Sequence, residues 1–197
     1  MKKTLGLCLL LWFSLTINFG SQLFAQDSLR IYSWDEALLA PKDSVFRLDA
    51  SKQKWESLPV ELFAFTHLKS LDISKNRLTE LPEEMAVFKE LRTLDVGKNK
   101  LKEFPVVICP LTQLKKLMLN RNYITTLPAC IGYFSHLKVL DLWDNPIESL
   151  PSELSKVTSL EVVDLRGILF NQAFQDKWRA ELPQAKWYFD LPCKCLD

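Results

Sequence analysis

The chain is most quickly bounded by what it lacks. It has two histidines and five glycines among 197 residues, and no glycine-rich phosphate loop, dinucleotide fingerprint, H-E-x-x-H pair or G-x-S-x-G elbow occurs. The common routes to nucleotide chemistry, zinc hydrolysis and serine nucleophilic catalysis are therefore not signalled. His67 and His136 occupy the same slot three repeat periods apart, roughly 15 Å by strand spacing, too far to share a metal. No Asn is followed at the second position by Ser or Thr, so no N-glycan acceptor is present. After the N-terminus no second long apolar run appears, and no basic tail. These absences predict a non-enzymatic chain without metal or cofactor.

The first residues read as an export leader. Lys2 and Lys3 give a positive start, Leu5 to Phe19 is apolar, and Ala25 offers a small residue for cleavage before Gln26. The 15-residue run is short for a spanning helix, which needs about 20 residues. Leu5-Gly6-Leu7-Cys8 imitates a lipoprotein box but lies too early to follow an apolar run. Removing Lys2 and Lys3 from 25 basic residues leaves 23 against 24 acidic ones, a net charge of −1. That balance offers no overall electrostatic footprint for nucleic acid or an anionic membrane surface. The expected product is periplasmic, cell-surface or secreted, without stable membrane insertion.

What the chain does have is one phrase repeated. Leu68-Lys-Ser-Leu71-Asp-Ile73-Ser-Lys-Asn76-Arg-Leu78-Thr-Glu-Leu81-Pro82 returns from Leu91 to Pro105, from Leu114 to Pro128 and from Leu137 to Pro151, every 23 residues. Eroded copies begin at Val45, where Gln53 takes the Asn slot, and at Leu160, where Ile168 does. The alternation in Leu71/Ile73, Leu94/Val96, Leu117/Leu119 and Leu140/Leu142 predicts short strands that stack into a parallel sheet. An Asn amide both donates and accepts, so Asn76, Asn99, Asn122 and Asn145 can satisfy peptide groups where the chain leaves the sheet. Pro59, Pro82, Pro105, Pro128 and Pro151 recur in register and withhold a ladder donor. Beyond them, Leu62, Met85, Ile108, Ile131 and Leu154 form one inward column and Phe65, Phe88, Leu111, Phe134 and Val157 another. Their three-residue spacing suits one helical or 3-10 turn.

L-x-x-L-x-L-x-x-N-x-L at a period of 20–29 residues resembles the leucine-rich repeat family, here in a short 23-residue form. The resemblance implies an α/β solenoid: an arc with a parallel sheet on its concave face, short helical or 3-10 turns on its convex face, and helical caps at both ends. Domain limits follow as a leader at 1–25, an N-terminal cap at 26–44, six repeats over 45–167 and a C-terminal cap at 168–197. Ser33-Trp34-Asp35-Glu36 has capping-box form before Ala37-Leu38-Leu39. Asn171 can cap a helix carrying Phe174, Trp178 and Leu182 on one face, with Trp187-Tyr188-Phe189 strand-like beyond Pro183.

Four cysteines follow the leader: Cys109, Cys130, Cys193 and Cys195. In an oxidising compartment Cys109 and Cys130, at offset positions of adjacent repeats, come near the ~7 Å Cα limit for a bridge. They serve equally as small buried hydrophobes. Cys193-Lys-Cys195 stays open between cross-linking, a local bridge and free thiols.

The family resemblance implies a recognition scaffold, a monomer that holds a protein, peptide or glycan partner on the exposed sheet face. The central outward column reads Asp49, Asp72, Asp95, Met118, Asp141, Asp164, and Met118 breaks it. Lys116, Asn120 and Arg121 flank Met118, and the next repeat presents Val139, Asp141 and Trp143. Trp, Met and Arg are enriched in interface cores, so these seven residues are the candidate partner-binding site. A competing reading lays Trp143 against Arg166 as a local cation–π pair. The alternative for the whole chain is a structural or surface protein that self-associates through its ends or cysteines.

Overall fold

The computed structural model describes residues 30–192; the proposed leader and Cys193-Lys-Cys195 lie outside them. One parallel sheet of eight strands runs in strict chain order. Six strands come from the repeats: β2 (Arg47–Asp49), β3 (Ser70–Asp72), β4 (Thr93–Asp95), β5 (Lys116–Met118), β6 (Val139–Asp141) and β7 (Val162–Asp164). The ends add β1 (Tyr32–Ser33) and β8 (Lys186–Tyr188). Leu48, Leu71, Leu94, Leu117, Leu140 and Val163 stand in one paired row, and all six are buried.

Each period closes on its proline. Pro59, Pro82, Pro105, Pro128 and Pro151 precede the 3-10 turns Val60–Ala64, Glu83–Val87, Val106–Ile108, Ala129–Tyr133 and Ser152–Lys156. The proline carbonyl accepts the turn's first hydrogen bond, as in Leu62 N–H to Pro59 O at 3.1 Å. A residue with φ locked near −65° and no N–H fits that entry, where its donor would be unused. Both inward columns of the convex side, led by Leu62 and Phe65, are fully buried.

The asparagine ladder joins the layers. Asn99 Nδ2 donates to Val96 O of its own repeat (3.0 Å) and Ile73 O of the preceding one (3.1 Å), while its Oδ1 accepts from Leu78 N–H (3.0 Å). Asn76, Asn122 and Asn145 repeat the pattern. Each amide therefore replaces water for three peptide groups in the interior.

The ends close the stack with different devices. Helix α1 (Trp34–Leu39) starts in a capping box: Glu36 N–H donates to Ser33 Oγ and Ser33 N–H to Glu36 Oε2. It sets Trp34 edge-on to Trp55, with centroids 4.9 Å apart. Lys42 Nζ then caps its last carbonyls, Ala37 O and Leu38 O, both at 3.2 Å. Helix α2 (Gln172–Glu181) opens on Asn171, whose side chain accepts from Phe174 N–H at 2.9 Å. It buries Trp178 against the last repeat, and Trp187 sits 5.9 Å from that ring. Tyr32–Ser33 pairing as a strand was not anticipated. Cys109 and Cys130 are joined by a disulfide with Cα atoms 5.9 Å apart, which resolves the two readings of that pair.

Candidate partner-binding site

All seven residues singled out in the sequence meet on two neighbouring strands and the turns that follow them. Lys116 pairs with Val139 and Met118 with Asp141 across β5 and β6. Asn120 and Trp143 come two positions later, where the chain turns off the sheet. Asn120 Nδ2 donates to Asp141 Oδ2 at 2.7 Å, and Trp143 N–H donates to Asp141 Oδ1 at 3.0 Å. Asp141 is thus fixed from both sides. Burial raises its pKa above the ordinary carboxylate value, and those two donors pull the other way.

Two expectations need correction. Met118 and Trp143 are half-buried rather than fully exposed. The concavity crowds side chains from adjacent rungs spaced about 4.8 Å apart, so even a solvent-facing residue is partly covered. Trp143 also does not rest on Arg166. The Arg166 guanidinium is held by Asp164 (Nη2–Oδ2 2.6 Å) and lies 5.4 Å from the Tyr188 ring. The cation over Trp143 is Arg121, 4.4 Å from the ring centroid, itself 3.5 Å from Asp144. Arg121 and Trp143 are therefore one preassembled unit, and the cation–π pairing lies inside the candidate patch instead of competing with it.

The structure adds a neighbour the sequence did not reveal. N-terminal to Met118 the same face opens into a hollow of about 180 Å³. Ile31, Arg47, Ser70, Asp72, Thr93, Asp95 and Met118 are among its walls. Ser70 and Thr93 are short and leave room beside Asp72 and Asp95, which are half-buried. Desolvation pushes Asp95 up to about 6; the Gly97 N–H, donating at 2.8 Å, opposes this, and Asp72 and Asp141 add like-charge repulsion. Its rung partner is Met118, which brings no donor. Short side chains at Ser70 and Thr93, in a column otherwise begun by Arg47 and continued by Lys116, were the available signal.

Comparison with known proteins then fixes the family. A family model described as a leucine-rich repeat region matches residues 44–182. The chain belongs to the leucine-rich repeat family. No curated protein matches it. Among solved structures, a leucine-rich repeat protein of Leptospira interrogans is 31% identical, with a TM-score of 0.67, over 76% of this chain and 37% of that one. An internalin of Listeria monocytogenes aligns at 19% identity and a TM-score of 0.63, over 76% of this chain and 44% of the other. The ectodomain of the plant receptor kinase GASSHO1/SCHENGEN3 from Arabidopsis thaliana, solved with CASPARIAN STRIP INTEGRITY FACTOR 2, aligns at 20% identity and a TM-score of 0.61. That alignment covers 81% of this chain and 20% of the receptor. The leucine-rich repeat protein described here thus spans less than half the length of each. The last two likenesses speak to the fold alone. Leucine-rich repeats commonly mediate protein–protein binding and typically serve as non-enzymatic scaffolds. Among the described residues no helix is long and apolar enough to cross a membrane.

Proposed function

We propose that this leucine-rich repeat protein is an exported, non-catalytic recognition module that captures a protein partner on its concave sheet face. Residues 1–25 act as the leader, 26–44 and 168–197 cap the stack, and 45–167 present the binding surface as a monomer. The observation that carries this reading is the break in the aspartate column at Met118, beside the Arg121–Trp143 unit. A half-buried Trp and Met on a rigid ladder lose little conformational entropy on binding and offer apolar area to a partner's anchor residue. Lys116, Asn120, Val139 and Asp141 supply the rim that orients it. The receptor ectodomain solved in complex with CASPARIAN STRIP INTEGRITY FACTOR 2 is another protein of this fold with a bound partner. The mechanism is shape and hot-spot recognition without turnover.

Affinity capture from the host's extracellular fraction, with wild-type chain and Trp143→Ala side by side, tests this directly. A partner retained by the former and lost by the latter is the expected result. Equal retention by both removes the patch. Self-association is the second reading, favoured by Leu39, 90% exposed at the end of α1. Sedimentation with and without reductant distinguishes it, since a monomer under both conditions excludes it.

A further inference from the structure

A net charge near zero conceals where the charges lie. At the edge formed by the C-terminal ends of the strands, the residue before each asparagine slot adopts a left-handed backbone. Lys52, Lys75, Lys98 and Arg121 have φ of 61°, 58°, 57° and 53°. That region suits glycine or asparagine and strains other residues, whose Cβ crowds the following carbonyl. The same slot in the last two rungs holds Asp144 and Gly167, types that enter it more readily. The first four rungs spend a strained position on a cation each, and strain retained at a repeated position points to use.

A second column runs alongside, two residues on, with Lys54, Arg77 and Lys100. Both columns are pinned by backbone bonds between repeats. Lys75 N–H donates to Gly97 O and Lys98 N–H to Asn120 O, both at 2.8 Å. Arg77 N–H donates to Trp55 O at 2.7 Å and Lys100 N–H to Leu78 O at 2.8 Å. The cations therefore stand on a fixed ladder with rungs about 4.8 Å apart. Over the turn segments 52–57, 75–80, 98–103 and 121–126 there are eight cations against three acids. Arg77 is drawn to Glu56 at 3.7 Å and Arg121 to Asp144. No ion pair within 4.0 Å among the described residues engages the lysines, and all of them are exposed. The basic column on the opposite edge is more quenched: Lys138 binds Glu161 at 2.5 Å and Lys69 lies 4.6 Å over Phe46.

We propose that this lysine ladder is a docking edge for an anionic phospholipid surface, which holds the protein edge-on and leaves the concave face open. The cations without an ion pair within 4.0 Å are lysines, compact charges on flexible stems, of which Lys75 also feels Asp95 at longer range, whereas the two arginines that could fork a phosphate are paired. A hollow of about 360 Å³ beside the ladder is flanked by Glu80 and Glu103 as well as Lys102, which repels a threaded anionic polymer, so the exposed lysines suit a fluid array of headgroups better. Four to eight clustered basic residues suffice for such electrostatic adsorption, which fades within a Debye length. It adds peripheral attachment, not insertion, and does not depend on what the concave face binds.

The test is co-sedimentation of the full chain with phosphatidylglycerol-containing vesicles and with neutral phosphatidylcholine vesicles at about 0.1 M salt. Any apolar leader on the chain binds both, so the anionic-over-neutral ratio reads the ladder. Lys52→Asn/Lys75→Asn/Lys98→Asn removes three charges while installing a residue suited to the left-handed backbone, so misfolding does not confound it. Each lysine is worth about five-fold, and the triple variant should reduce the ratio by about a hundred-fold. The matched triple Lys69→Gln/Lys115→Gln/Lys138→Gln should change it less than about ten-fold. A wild-type ratio near one, or equal losses in both triples, overturns the proposal.

Discussion

The two halves of the concave face share one backbone and differ in what they present. From β2 to β4 the central column is Asp49, Asp72, Asp95 beside the short Ser70 and Thr93, and the surface is an acidic hollow. From β5 to β7 Met118 interrupts the column and the Arg121–Trp143 unit rises beside it. Strand pairing passes from Asp95 to Met118 without a change of register, and the asparagine ladder crosses the same joint through Asn122, bonded to Val96 O and Leu101 N–H. On the convex side the Cys109–Cys130 bridge spans the repeats that meet there. A solenoid keeps its outward letters energetically independent of its inward ones, because each repeat contacts only its neighbours through the buried slots. The face can therefore change character in one step of about 4.8 Å at little structural cost.

That independence can be broken from inside. Asn122→Ala removes an amide that serves three buried peptide groups and should cost about 2–4 kcal/mol in urea unfolding. The loss falls on both halves, since Asn122 links Val96 and Leu101 of one to Leu119 of the other. Next in size, Cys130→Ala opens a 21-residue loop and should cost about 3 kcal/mol at the same joint, matched by adding reductant to the wild type.

From outside, the halves should separate. Trp143→Ala should weaken partner capture by at least ~30-fold, about 2 kcal/mol, and shift unfolding by under ~0.5 kcal/mol. Asp95 gives the acidic half its own signature. Its folded pKa, about 6, is raised above the unfolded value near 3.8. Between those values the folded state binds more protons than the unfolded one, so stability rises as pH falls from 7 towards 4. Asp95→Asn should flatten that part of the pH–stability curve and leave Trp143-dependent capture intact. The smallest effect is expected of Lys98→Asn, a gain of about 0.5 kcal/mol in thermal unfolding from relief of the left-handed backbone.

Legibility followed dimensionality. Contacts at a fixed sequence offset were readable, so the leucine rows, the asparagine slots and the pairing of Lys116 with Val139 and Met118 with Asp141 could be written from spacing. Contacts set by side-chain direction were not. Arg166 and Arg121 are both one rung from Trp143, and only the Asp164 carboxylate taking Arg166 left Trp143 to Arg121. Strand β1 has two residues and no alternation to betray it; it exists because β2 offers an unpaired edge.

By itself the sequence determined the solenoid, because a period shared by Leu, Asn and Pro has one economical solution: stacking equivalent slots, each burying and bonding its counterpart. The tertiary structure decided the rest. It set how far the concavity buries Met118 and Trp143, which cation reached the indole, how far burial desolvates Asp95, and how a left-handed turn aligned lysines 23 residues apart into one edge. Those outcomes depend on distances between side chains of different repeats, and a one-dimensional period does not encode them.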